Sequence, residues 1–169
     1  MLRRPALAAA AVAAAVSGCG VGPHHALEAA GVQSAIASQL SHEYPVAKPA
    51  VACPGGVPLD AGRTFHCTAT VDGQPLQLDV TLTDSHGHFR VEPSAAIIPV
   101  ARATAQLEHD IAARTHSPAS LDCGSRPVLV VEVGGTFACS ATVAGVRRTV
   151  TVTVADLRGR VRYTLAPAA

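Results

Sequence analysis

Tryptophan is missing from this 169-residue chain, and lysine occurs once, at Lys48, against twelve arginines. The aromatic side chains are five: Tyr44, Phe65, Phe89, Phe137 and Tyr163. Large, tight protein interfaces draw on exposed tyrosine and tryptophan, so this poverty disfavours a rigid inhibitory surface. Net charge is also scarce. The formal total is +1, and without Arg3 and Arg4 the remaining chain carries 11 basic against 12 acidic side chains, so no global field recruits nucleic acid. No Gly-Xaa-Ser-Xaa-Gly elbow, phosphate loop, His-Glu-Xaa-Xaa-His or Cys-Xaa-Xaa-Cys appears, which removes the motifs that would name a reaction. Cofactors and metals are accordingly not expected. His66, His86 and His88 are read as solvated side chains, because His86 and His88 belong to a hairpin tip and His66 falls opposite Asp79. His24 and His25 have no third ligand near them in sequence.

No apolar run is long enough for a membrane-crossing helix, which needs roughly 20 residues. The run from Ala6 to Val16 is shorter, follows Arg3 and Arg4, and leads into Val16-Ser17-Gly18-Cys19. That arrangement resembles a bacterial lipobox. The resemblance implies a signal peptide over residues 1–18, a lipid on the thiol of Cys19, and a short tether over 19–26. The mature chain would then sit outside the cytoplasm, anchored to the outer face of the cell membrane.

What the chain has in plenty is internal repetition. Gly62-Arg63-Thr64-Phe65-His66-Cys67-Thr68-Ala69-Thr70-Val71-Asp72-Gly73 returns as Gly134-Gly135-Thr136-Phe137-Ala138-Cys139-Ser140-Ala141-Thr142-Val143-Ala144-Gly145. The offset is 72, and a period of that size reads as two small domains. We place the first repeat at 27–93, a linker bounded by Pro93 and Pro99 over 94–99, and the second repeat at 100–169. Each repeat carries a second cysteine upstream, Cys53 and Cys123. Bridges from Cys53 to Cys67 and from Cys123 to Cys139 are the simplest connectivity, although four cysteines permit three pairings. Closing a loop of about 15 residues stabilises a small domain by roughly 3 kcal/mol in the chain-entropy description.

Val32, Ile36 and Leu40 recur every four residues, so Leu27 to about Ser41 reads as an amphipathic helix ended by Tyr44-Pro45. In the second repeat Leu107 and Ile111 take the places of Ile36 and Leu40. Strict alternation then marks strands, with Phe65, Cys67, Ala69 and Val71 pointing inward. A two-residue turn at Asp72-Gly73 sets a register pairing Ala69 with Leu76, Cys67 with Leu78 and Phe65 with Val80. A second loop over 84–87 pairs Leu82 with Phe89 and Val80 with Val91. The inward set of the second copy is Phe137, Cys139, Ala141, Val143, Val146, Val150, Val152, Val154, Val161, Tyr163 and Leu165. The expected fold is α+β: two tandem repeats, each a helix on a small antiparallel sheet with one disulfide.

The lipobox, the alanine-rich helix and the doubled Gly-Xaa-Thr-Phe-Xaa-Cys-Thr/Ser-Ala-Thr-Val-Xaa-Gly motif together resemble the actinobacterial envelope domain of unknown function 4333. That family brings no established activity. The resemblance implies an exported protein, with two copies covering nearly all of the mature chain. The second copy departs by two extra residues between its cysteines and by Ala144 in place of Asp72.

The copies differ most in charge. Pro75, Leu76, His86, His88 and Arg90 become Arg147, Arg148, Arg158, Arg160 and Arg162, against Asp156 alone. These five arginines are the candidate site for an anionic lipid head group or an acidic envelope polymer. The expectation is a non-catalytic envelope lipoprotein that binds an envelope protein or anionic component. An inhibitor is the alternative, because the beta-lactamase inhibitory protein is also built from tandem helix-and-sheet units. Small-ligand or lipid binding, or an unrecognised enzyme, comes third.

Overall fold

Val32, Ile36 and Leu40 fall on one side of helix α1 (Ala29–Glu43) and are buried there with Ala37. The helix ends where Tyr44, the residue before Pro45, turns extended and donates its N–H to the Leu40 carbonyl at 3.0 Å. The computed structural model from which these contacts are read describes residues 26–167. The signal segment, His24, His25 and the lipidation candidate Cys19 lie outside the described residues.

Four strands follow, β1 (Ala50–Ala52), β2 (Thr64–Val71), β3 (Gln74–Leu82) and β4 (Phe89–Pro93), hydrogen-bonded in that order. Ala69 opposes Leu76, Cys67 opposes Leu78, Phe65 opposes Val80 and Leu82 opposes Phe89, the register read from the two turns. Alternation explains the core directly: Cys67, Ala69, Val71, Leu76, Leu78, Val80 and Leu82 are buried, whereas their neighbours along the strands are wet. Strand β1 begins immediately after Pro49 and pairs Ala52 with Thr68, so the next residues along, Cys53 and Cys67, meet and are disulfide-bonded.

The segment expected to be a linker is a strand. Residues 96–99 form β5 (Ala96–Pro99), and helix α2 (Val100–Thr115) follows it without a break. Then come β6 (Ala119–Asp122), β7 (Val128–Val131), β8 (Thr136–Val143), β9 (Val146–Val154) and β10 (Val161–Leu165). Strands β10, β9, β8 and β6 make the second sheet in that order, while β5 and β7 pair with each other. Beyond the last β6–β8 rung, Asp122 with Ser140, Cys123 is bonded to Cys139. The fold is thus α+β, one helix-and-sheet unit used twice, each with its own disulfide.

The departures in the second copy leave the turn intact. Asp72 and Gly73 have φ of 49° and 74°, and Ala144 and Gly145 have 51° and 79°. Alanine holds a left-handed conformation there at a strain of about 1 kcal/mol. One inward residue is misplaced by alternation alone. Val146 opposes Val143 but is 42% exposed, since it lies beside the turn that closes the β8–β9 hairpin.

The β5–β7 ladder has a one-rung counterpart in the first repeat, where Ala26 bridges Pro58 and the Leu27 N–H reaches the Val57 carbonyl at 2.8 Å. In the second repeat the ladder also joins the two units. Ile97 and Val128 are buried in the core formed by Ile36, Phe65, Leu76 and Leu78, so the first repeat is completed by residues beyond its own boundary. Gln74 seals the joint. Its side-chain amide donates to the Val128 carbonyl at 3.1 Å, and its oxygen accepts the Val130 N–H at 3.0 Å, copying the contacts of a strand neighbour. Arg126 adds a bond to the Asp72 carbonyl at 2.9 Å.

Candidate functional site

Helix α2 packs towards β6, at one edge of its sheet, and this placement leaves the inner face of β10 at the other edge only half covered. The resulting crevice has a volume of about 650 Å³ and runs between α2, β10 and the β9–β10 turn. Its floor is apolar, built from Ile98, Ala103, Leu107 and Val161. Five arginines border it, Arg102 and Arg114 from the helix and Arg158, Arg160 and Arg162 from the turn and strand, against one carboxylate, Asp110.

The turn is held by Asp156. Its carboxylate accepts the backbone N–H groups of Arg158 at 3.0 Å and Arg160 at 3.1 Å, and it pairs with the Arg160 guanidinium. The hydrogen bond from that guanidinium holds the Asp156 carboxyl below its ordinary range. Arg160 is therefore partly neutralised, whereas Arg102, Arg114 and Arg158 make no ion pair among the described residues. Gly159 closes the turn at φ 77°, and a side chain there would also press on Ile98 Cδ1 at 3.2 Å. Arg114 stacks on the Tyr163 ring at 5.1 Å. The Tyr163 hydroxyl is buried without a hydrogen-bond partner among the described residues. Beside the crevice, Val133 and Leu157 are exposed apolar side chains, and they share a smaller depression with Arg158 and Arg160.

The five candidate arginines do not form one patch. Arg147 and Arg148 belong to the opposite end of β9 from Arg158 and Arg160, roughly 20 Å from the far turn at 3.4 Å per strand residue. Arg147 opposes Thr142 on the outward face, while Arg148 opposes Ala141 on the inward one, where the first repeat has the buried Leu76. Its Nε is buried and has no hydrogen-bond partner among the described residues. What joins Arg158, Arg160 and Arg162 instead is the helix pair Arg102 and Arg114. Aligning Leu107 with Ile36 would have found them, because Arg102 then replaces Gly31 and Arg114 replaces Glu43.

The first repeat has the same crevice, nearly filled. Its volume is about 250 Å³ and its walls are Leu27, Val32, Leu59 and Phe89, with Glu28 and His86 as the polar side chains. Phe89 corresponds to Val161 and Val32 to Ala103, so the second copy is hollowed by two truncations. The turn itself is preserved. Asp84 accepts the N–H groups of His86 at 2.8 Å and His88 at 3.2 Å, and the hydrogen bond with the His88 ring holds its carboxyl at about 2. His66 pairs with Asp79 across the strands at 2.7 Å, as its register requires. The three histidines of the first sheet thus do not converge. Among the described residues no group of three metal-ligating side chains exists.

The architecture defines a tandem, disulfide-stapled α+β module with one cation-lined crevice. Residues 9–87 and 100–159 match the domain of unknown function (DUF4333), and the chain belongs to that family, with two copies of its domain. No curated protein and no solved structure matches it.

Proposed function

We propose that the chain is a non-catalytic, extracytoplasmic module, tethered to the membrane by a lipid on Cys19, whose second repeat binds an anionic component of the cell envelope. The carrying observation is the asymmetry between the copies: one crevice is small and carries no arginine, and its duplicate is larger and bordered by five. Opposed guanidinium groups repel one another, so their collection around a cavity is stabilised by an anion that binds among them. The exposed Leu157 and Val133 beside Arg158 suit a membrane surface, where apolar side chains enter the interface while cations meet head groups. The corresponding positions of the first repeat are Ser85 and Ala61, which offer no such tip. Two disulfides agree with an oxidising compartment, and the lipobox sequence supplies the anchor.

Residues 20–169 contain every described element and suit a vesicle assay without the native lipid. They should sediment with phosphatidylglycerol vesicles and stay free of phosphatidylcholine vesicles, and raising the salt should release them. Replacing Arg102 and Arg158 by serine should weaken retention roughly 30-fold, at about 1 kcal/mol for each arginine near an anionic surface. Equal retention of the double variant would remove the crevice arginines from the binding surface.

A further inference from the structure

We infer that the ligand of the second-repeat crevice is a single-chain amphiphilic anion, a lipid whose acyl tail lies on the apolar floor and whose phosphate or carboxylate meets Arg102 and Arg158. The inference rests on the anion-binding reading above and deepens it. The first repeat supplies the argument, because its own side chains occupy more of the equivalent space. There Leu27, Leu59 and Phe89 narrow the space between the helix and the hairpin to about 250 Å³, so the chain's own hydrocarbon takes up much of it. In the second repeat Val161 stands for Phe89 and Ala103 for Val32, and the volume they give up remains as an apolar trough.

An inorganic anion has no use for such a trough. Hydrated and small, it is bound by the guanidinium groups alone, and apolar walls at its back would only weaken its solvation. A long acyl chain gains from those walls, since each buried methylene favours the bound state. A volume of about 650 Å³ lies within the range of small-molecule sites and is large enough for much of one such chain. A two-chain lipid drawn out of the bilayer would leave its second tail in water, which selects the single-chain class. The head group is fixed by the rim. Arg102 lies one helical turn from Gln106, and Arg158 leads into Gly159, so cations from two elements flank the same trough. The exposed Leu157 next to Arg158 leaves the mouth apolar as well as cationic, which is the surface a lipid would meet on leaving a bilayer.

The test is calorimetric titration of residues 20–169 with dodecyl phosphate below its micelle concentration, with butyl phosphate, and with inorganic phosphate. Dodecyl phosphate should bind tighter than butyl phosphate by on the order of 100-fold, a gain that burying roughly four methylenes provides. A variant carrying Ala103→Val and Val161→Phe, the first repeat's own residues, should keep its thermal unfolding transition and lose at least tenfold in affinity for dodecyl phosphate. Equal affinity for the two alkyl phosphates overturns the tail site and leaves the anion site standing. Dodecyl phosphate bound equally well by the filled variant also overturns it. Absence of binding by all three phosphates, with no retention on anionic vesicles, overturns both readings.

Discussion

Arg148 shows how much one side chain can move between two copies of a fold. Its counterpart Leu76 is 1% exposed, and in the second repeat the same inward position receives a guanidinium whose Nε is buried without a partner among the described residues. An unpaired buried polar group costs about 1–3 kcal/mol. Arg148→Leu should therefore stabilise the protein by about 1–2 kcal/mol in urea unfolding, with vesicle retention unchanged; a loss of stability would mean that the arginine is better paired than its surroundings indicate. The charge difference between the copies was legible in the sequence, but its geometry was not. Five arginines share two hairpins in the chain, and only the length of β9 separates Arg147 and Arg148 from the others. Arg102 and Arg114 are not marked by helical periodicity, which reports the buried stripe, because these two border it rather than belong to it.

At the scale of elements, strands joined by tight turns were readable to the residue. Alternation gives the faces, and a two-residue turn gives the register, so β2, β3, β8 and β9 pair as their sequences require. Strands β5 and β7 were not recovered. Ala96–Pro99 is short and lies between prolines, the signature of a linker, and its partner is about thirty residues away with a helix and a strand between them. No local pattern encodes that pairing. The joint can nevertheless be tested through Gln74, whose amide serves both the Val128 carbonyl and the Val130 N–H. Gln74→Ala should destabilise by about 2 kcal/mol, the cost of leaving two half-buried backbone groups without their partner. Gln74→Glu should do nearly as much, because it keeps the acceptor and loses the donor. Unchanged urea midpoints for both would show that water replaces the amide.

For the whole molecule, the repeat boundary and the folding boundary differ. Ala95, Ile97 and Val128 lie past the end of the first repeat yet belong to its core. Residues 26–167 should therefore unfold in a single calorimetric transition, with the van't Hoff and calorimetric enthalpies equal. A fragment ending at residue 93 should lose its cooperative transition, since removal of Ile97 and Val128 alone exposes side chains worth roughly 1.5–3 kcal/mol each. Two separate transitions, or a stable fragment, would return the repeats to independence. The hairpin that receives β7 also has a duplicate, at the end of β8–β9, and there position 146 carries a valine where Gln74 would offer its amide. A third copy arriving there would find no hydrogen-bonding hand extended to its strand. The second repeat thus lacks the side chain by which the first takes up a neighbour's strand, and a single position, 74 against 146, separates the two behaviours.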